Sequence, residues 1–198
     1  PRRKPNIVFI LIDDMGWPDV ACYGSKFHET PNIDRLASQG MKFSDAYAAC
    51  PVCSPTRASI MAGQYPARVG ITDFIPGHWR PYEKLIVPEN RLELPLESVT
   101  IAEALKRKNY ATCCVGKWHL GDMRRFRPHR RGFDYFYGVL YSNDMEPFEV
   151  YRNDEVVDDH PADQTKLTGN YTKEAVNFIN RSHDKPFFLY LAHTFPHI

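Results

Sequence analysis

Three groups of residues in this sequence have types and spacings that could do chemistry. The first is Asp13 and Asp14, which end the apolar run NIVFILI (Asn6 to Ile12) and precede Met15 and Gly16. Two adjacent carboxylates cannot be buried without a cation, because each carries a large desolvation cost. At the carboxyl end of a buried strand, where open α/β sheets place their ligands, a hard divalent ion is the natural partner. A solvated turn fits the same residues. The second group is Cys53-Ser54-Pro55-Thr56-Arg57. Pro55 keeps the backbone extended as it enters a turn, and TRASIMAG then favours a short helix closing at Gly63. Cys53 is expected just before that helix N-terminus, where partial positive charge favours an anion, and Arg57 one turn on can aim at the same spot. A buried, inert thiol is the plainer reading of a single cysteine. The third group is Lys117 and His119 in GKWHLG, leaving the end of the strand YATCCVG. Two residues apart on extended backbone, both side chains fall on one side.

Alternating elements would have to position these groups. NIVFILI is β-branched and continuous, as expected of a parallel strand covered on both faces. Thr30-Pro31-Asn32 opens a helix from about Ile33 to Gln39, closed by Gly40, with Ile33, Leu36 and Ala37 facing the core. Lys42 to Ala48 reads as a short strand, and Gln64 to Leu96 as a long irregular excursion of the kind that is often functional. Ser98 to Asn109 is a helix capped by Ser98 or Thr100, followed by a buried strand from Tyr110 to Gly116. GFDYFYG (Gly132 to Gly138) packs against the sheet, and Phe148 to Asp158 has the Asn-Asp turn of a hairpin. Thr168 to His183 contains a helix with Tyr171, Ala175, Val176 and Ile179 on one face. FFLYLA (Phe187 to Ala192) is a third buried strand. The alternation predicts an α/β fold, a mostly parallel sheet with helices on both faces.

The bulk numbers set limits. The chain's 198 residues are about one domain, and 43% hydrophobic with 25% charged residues is ordinary globular composition. A formal net charge of +1 gives no global reason to expect nucleic acid or a membrane surface. No apolar run approaches the roughly 20 residues of a membrane span. Asn6 to Ile12 is too short for a signal-peptide core, so any targeting segment is expected to be absent from this chain. Five cysteines, two of them adjacent, do not make a disulfide framework. Cys50-Pro-Val-Cys53 offers a redox dithiol or half of a structural zinc site, the latter drawing on Cys22, Cys113 or Cys114. Asp122 to Arg131 holds five arginines in ten positions, a solvated loop or a segment that steers a polyanionic substrate.

Cys-x-Pro-x-Arg, the Asp-Asp pair after the first strand, TPNIDRLASQG, GKWHLG and GFDYFYG together resemble the type I sulfatases. The resemblance implies an alkaline-phosphatase-like core and a sulfuric ester hydrolase of the arylsulfatase type. It implies that Cys53 is oxidised after translation to formylglycine by a maturase, and that the hydrated aldehyde is the nucleophile. Asp13 and Asp14, with the modified Cys53, would hold Ca2+ or Mg2+. Arg57 and Lys117 would stabilise the nucleophile. His119 would act as base, and His197, in a Pro-His context after the last strand, would serve the leaving group. His78, Trp79 and Arg80 lie in a region that would wall the substrate pocket. The family completes its metal site with an Asp and an Asn or Gln further along and adds a second lysine. None of these follows His197 here, so residues 1–198 are expected to be the N-terminal part of the catalytic domain. The expected substrate is a sulfated saccharide, with a secreted, periplasmic or lysosomal setting and neither nucleic acid nor a membrane span. Two other readings stand beside it: a phosphate or phosphonate monoester hydrolase of the same superfamily, and a non-catalytic fragment with a structural zinc.

Overall fold

The computed structural model describes residues 4–77, 84–85 and 88–198. Six strands, β1 (Ile7–Asp13), β2 (Ala111–Lys117), β3 (Tyr135–Val139), β4 (Val150–Arg152), β5 (Glu155–Asp158) and β6 (Phe187–Pro196), form one sheet in the order β1-β6-β2-β3-β4-β5. The first four in that order are parallel, and β4 and β5 close the far edge as an antiparallel hairpin. Among the described residues the α-helices are α1 (Pro31–Gln39), α2 (Cys53–Ala62), α3 (Pro66–Val69), α4 (Ile101–Lys106) and α5 (Leu167–Arg181).

The central strands alternate strictly between two cores. Cys114, Phe188, Tyr190 and Ala192 pack with Ala58 and Met61 of α2 and Ala102 of α4. Their neighbours Cys113, Val115, Phe187, Leu189 and Leu191 pack with Tyr171, Ala175 and Phe178 of α5 on the opposite face. Period-two alternation with both sides apolar is what a sheet clad by helices on both faces requires.

Because β1, β6, β2 and β3 run in parallel, their carboxyl ends meet along one edge of the sheet. Asp13 pairs in register with Pro196, and Lys117 with Val139. Just behind these tips the strands come unusually close. A Cβ on Gly116 would lie 1.8 Å from the Ala192 carbonyl oxygen, and one on Gly138 would lie 2.0 Å from that of Gly116. Only glycine fits there.

Several local expectations are corrected. β1 is an edge strand among the described residues, and Val8 and Ile10 are 47% and 51% exposed rather than covered on both faces. α1 buries no residue, so Ile33 and Leu36 face solvent instead of a core. Lys42 to Ala48 forms bends, with no ladder partner to make it a strand. α4 is shorter than the pattern suggested. Thr100 caps it through a capping box with Glu103, and Asn109 takes a left-handed conformation beyond its end. GFDYFYG does not merely pack on the sheet, since its second half is β3. On α5 the buried face carries Phe178, whereas Val176 and Ile179 are exposed. β6 continues past Ala192 to Pro196, which carries the chain up to the strand-tip cluster.

Candidate active site

Cys53 is the first residue of α2, one position further in than expected. Val52 is the extended N-cap, and the helix ends at Gly63 in a left-handed C-cap. Cys53 and Arg57 are four residues apart on this helix and so lie on one face. Both line a cavity of about 250 Å³ together with Asp13 and Asp14. A second cavity, of about 270 Å³, shares Asp14 and Cys53 and adds Phe74, Ser142, Asp144 and His197. The strand tips and the start of α2 therefore surround one cleft. A larger open hollow of about 530 Å³ lies at the other end of α2, beside Gly63 and Arg68, and holds none of the candidate residues.

Within the cleft the charges are tightly organised. Asp13 is buried between two cations: Arg57 Nη2 is 3.1 Å from Oδ1, and Lys117 Nζ donates to Oδ2 at 2.6 Å. Burial pushes the Asp13 carboxyl up, but Arg57 and Lys117 outweigh it and hold the group below the usual carboxylate range. Lys117 has no exposed surface and also donates to Ser142 Oγ at 2.8 Å. Arg57 Nη1 donates to the Lys117 carbonyl, which ties α2 to the tip of β2. Arg57 Nη2 is committed to the Asp13 carboxylate, and the buried Nε makes no well-aligned hydrogen bond.

Asp14 differs from its neighbour. Its side chain is 60% exposed, and its backbone has φ 61°, a left-handed conformation that non-glycine residues seldom adopt. His119 shares that feature with φ 60°. Strained backbone at two strand exits is a frequent mark of a working site.

His119 does not line either cavity but sits behind them, wholly buried. Its Nε2 lies 2.5 Å from the Ile75 carbonyl, which can only accept, so Nε2 carries the proton and Nδ1 the lone pair. That Nδ1 is buried without a hydrogen-bond partner. Burial, reinforced by Lys117, brings the imidazole down to about 3, and it is neutral at physiological pH.

The chemistry of the donor set fits a hard divalent cation. Asp13 and Asp14 present adjacent carboxylates, and an ionised carboxylate has lone pairs to spare beyond two ion pairs. A thiol at Cys53 is too soft a ligand for such an ion, whereas an oxygen at that position would suit it. Among the described residues no group of three His, Cys, Asp or Glu converges on a metal-binding point. All five cysteines are free, and Cys113 and Cys114 point to opposite cores.

His193 stays out of the cleft, packed near the Tyr171 ring. His78, Trp79 and Arg80 lie outside the described residues. Three arginines of the arginine-rich stretch gather around one acid in the β4–β5 turn, while Arg131 is buried against Glu103 and the Leu94, Pro95 and Ser98 carbonyls. Arg124, His129, Arg130 and Arg127 approach Asp154 within 2.8, 3.1, 3.5 and 3.7 Å. Sequence reasoning missed Ser142, Asn143 and Asp144. They follow β3, and the glycines and aromatics of GFDYFYG concealed the strand whose tip they occupy.

The parallel α/β sheet thus gathers a cation-clamped carboxylate and a helix-borne cysteine at its strand tips, and comparison with known proteins gives the family. The sulfatase family model matches residues 5–198, and the chain belongs to the sulfatase family. Its core is accordingly the alkaline-phosphatase-like α/β fold. It is 38% identical over 207 residues to N-acetylgalactosamine-6-sulfatase of Rattus norvegicus, covering 96% of this chain and 39% of the relative. Arylsulfatase G of Homo sapiens is 33% identical over 231 residues, covering 99% and 42%. The solved structure of Ps i-CgsB in complex with k-i-k-neocarrahexaose superposes with a TM-score of 0.81 at 34% identity, covering 99% of this chain and 46% of that one. The chain thus spans about two fifths of the length of the curated relatives it matches. Among the described residues no helix is long and apolar enough to cross a membrane.

Proposed function

We propose that this chain carries the nucleophile-bearing part of a sulfatase that hydrolyses a sulfate ester of a saccharide, with Cys53 converted to formylglycine by a maturase. The observation that carries the reading is the placement of Cys53. It opens α2, faces a cleft shared with two strand-tip carboxylates, and lies on one face of the helix with the buried Arg57, which Asp13 joins to the buried Lys117. A saccharide is the substrate class because two of the similar proteins are named for, or bound to, sugars of that kind.

Formylglycine, once made, supplies a hydrated aldehyde whose oxygen can attack sulfur where a thiol cannot do so and then be regenerated. A divalent cation held by Asp13 and Asp14 supplies charge neutralisation for the sulfate oxygens. The chain's own residues do the rest. Arg57, on the same helix face as position 53, and Lys117, held with it on Asp13, set two fixed positive charges at the buried floor of the cleft, where such charges act strongly and need no reorganisation. Asp13 keeps both cations aimed. His119 takes the role of base from the resemblance alone: its Nδ1 lone pair is unengaged, but the ring lies buried behind the cavities that Cys53 lines. His197, lining the cleft on the side of Ser142 and Asp144, offers a ring nitrogen from which the departing alcohol oxygen can be protonated.

Intact-mass analysis of protein from a host with the maturase should show an aldehyde in place of the Cys53 thiol. Cys53→Ala should abolish turnover of sugar and aryl sulfates. A fully active Cys53→Ala protein overturns the mechanism. Parallel rates on an aryl sulfate and the matching aryl phosphate decide the substrate class, and preference for the phosphate would reverse it.

A further inference from the structure

We propose that Asn143 is a positioning residue for His197, fixing which nitrogen of the imidazole faces the cleft and holding the ring there. The proposal rests on the reading of His197 as the group that serves the leaving alcohol. It adds a residue to which neither the motifs nor the resemblance gave a role.

The geometry leaves a single arrangement of the two side chains. Asn143 Nδ2 donates to the His197 carbonyl at 3.2 Å, and that oxygen can only accept. The other end of the amide, Oδ1, therefore meets His197 Nδ1 at 3.0 Å. An amide oxygen also only accepts, so Nδ1 must carry the hydrogen. The remaining polar atoms near Nδ1 are Ser142 Oγ at 3.4 Å and Asp144 Oδ1 at 4.0 Å, and both can accept as well. Nε2 is thereby turned the other way: the doubly protonated ring gives its Nε2 proton to the departing oxygen and is left as the tautomer with hydrogen on Nδ1, still held by Asn143. The charged atom nearest Nε2 is Asp14 Oδ2 at 3.8 Å, and His197 lines the cavity that Cys53 also lines.

The clamp is itself anchored. Gln164, in the turn that leads into α5, donates to the Asn143 carbonyl at 2.8 Å. Met145 N donates to the Ser142 carbonyl at 3.2 Å and closes the loop as a turn. On its inner side Ser142 accepts from Lys117. The segment from Ser142 to Asp144 is thus pinned to the lysine on one side and to the histidine ring on the other. One short loop sets the spacing between the buried lysine charge and the nitrogen beside the leaving group. A histidine at the end of a strand has free rotation about two torsions unless something outside the strand holds it, and the two bonds from Asn143 do so.

The test separates positioning from general support of the fold. A sugar alcohol is a poor leaving group that needs a proton as it departs, whereas 4-nitrophenolate leaves without one. Asn143→Ala in the mature protein should lower kcat on a sugar sulfate by about 10- to 100-fold and change kcat on 4-nitrophenyl sulfate by no more than about threefold, with KM little altered on either. Asn143→Asp, which keeps the acceptor at Nδ1, should restore most of the sugar sulfate rate. A second readout needs no turnover. In protein labelled with 15N at histidine and assigned by His197→Gln, the His197 ring should show hydrogen on Nδ1. Asn143→Ala should give a mixture of tautomers.

Equal loss on both substrates would overturn the proposal, as would a neutral ring that carries its hydrogen on Nε2 alone or a tautomer that Asn143→Ala leaves unchanged. Should His197→Gln lose both substrates alike, the leaving-group role of His197 falls instead. The ring-nitrogen spectrum then decides the clamp alone.

Discussion

The molecule surrounds a single aspartate with cations in two places, and the two differ in almost everything else. Asp13 sits at a strand tip between Arg57 and Lys117, all three nearly without solvent contact. Asp154 sits in a surface turn among Arg124, Arg127, His129 and Arg130, of which Arg124 and Arg130 are largely exposed. Each has an acid with several bases in reach, but only the first is dry throughout, since around Asp154 the His129 ring is shielded while Arg124 and Arg130 reach into solvent. Attraction at the surface is screened and offset by the entropy of long side chains, so more partners do not mean more stabilisation. In the interior, fewer partners are held harder, and removing one leaves an uncompensated charge. The arginine-rich stretch is conspicuous in the sequence, yet its visible order serves to fasten two short turns to a hairpin. The quieter pair at the strand tips holds the charge that a reaction can use.

The largest effect expected from this contrast is at Asp13. Asp13→Ala strands two buried cations and should cost about 3–5 kcal/mol in urea unfolding. A loss under 1 kcal/mol would erase the distinction between the two sites. Next comes Lys117→Met, which removes one of the two buried cations that hold Asp13. A fall in kcat of about 10²- to 10³-fold on a sulfate ester is expected, with the circular dichroism spectrum retained.

The buried side of the comparison should also show in pH. His119 is held neutral in the folded chain down to about pH 3, while the unfolded chain binds a proton near its ordinary value of 6.5. Between those values the unfolded state carries the extra proton, so stability falls as pH falls, by about 1.4 kcal/mol per pH unit. Asp13, with its folded pKa depressed, adds a loss of the same sign only below its ordinary carboxylate range, near 3.8. Denaturation at stepped pH should show the first slope, and His119→Gln should flatten it. The smallest effect belongs to the surface cluster. Asp154→Ala should cost about 1 kcal/mol or less, shrink further in high salt, and leave kcat unchanged.

Much of the site could be read from the chain alone, because its groups stand where apolar runs stop. Asp13 and Asp14 follow NIVFILI, Lys117 follows YATCCVG, and Cys53 precedes a helix with a glycine stop. Those are local signals, and the sheet brings their ends together by parallel pairing. What could not be read depended on distant partners. Ile33, Leu36, Val8 and Ile10 are apolar at the right spacing, but burial needs a covering surface, and none of the described residues supplies it. Lys42 to Ala48 has strand-like content and no ladder to join. Ser142 and Asn143 were hidden for the opposite reason. Their strand, β3, carries a glycine at the point of closest approach and breaks the pattern by which strands are recognised.

That close approach has a further consequence. At Gly116, Gly138 and Ala192 the backbones of three adjacent strands touch with no room for a methyl group between them. Lys117, the loop from Ser142 and the approach to His197 all emerge directly beyond this contact. Their relative positions are therefore inherited from main-chain packing rather than from any side chain that selection could exchange. Substrate preference in this scaffold has to evolve in the loops that rise above the strand tips, because the floor beneath them cannot be retuned without dismantling it.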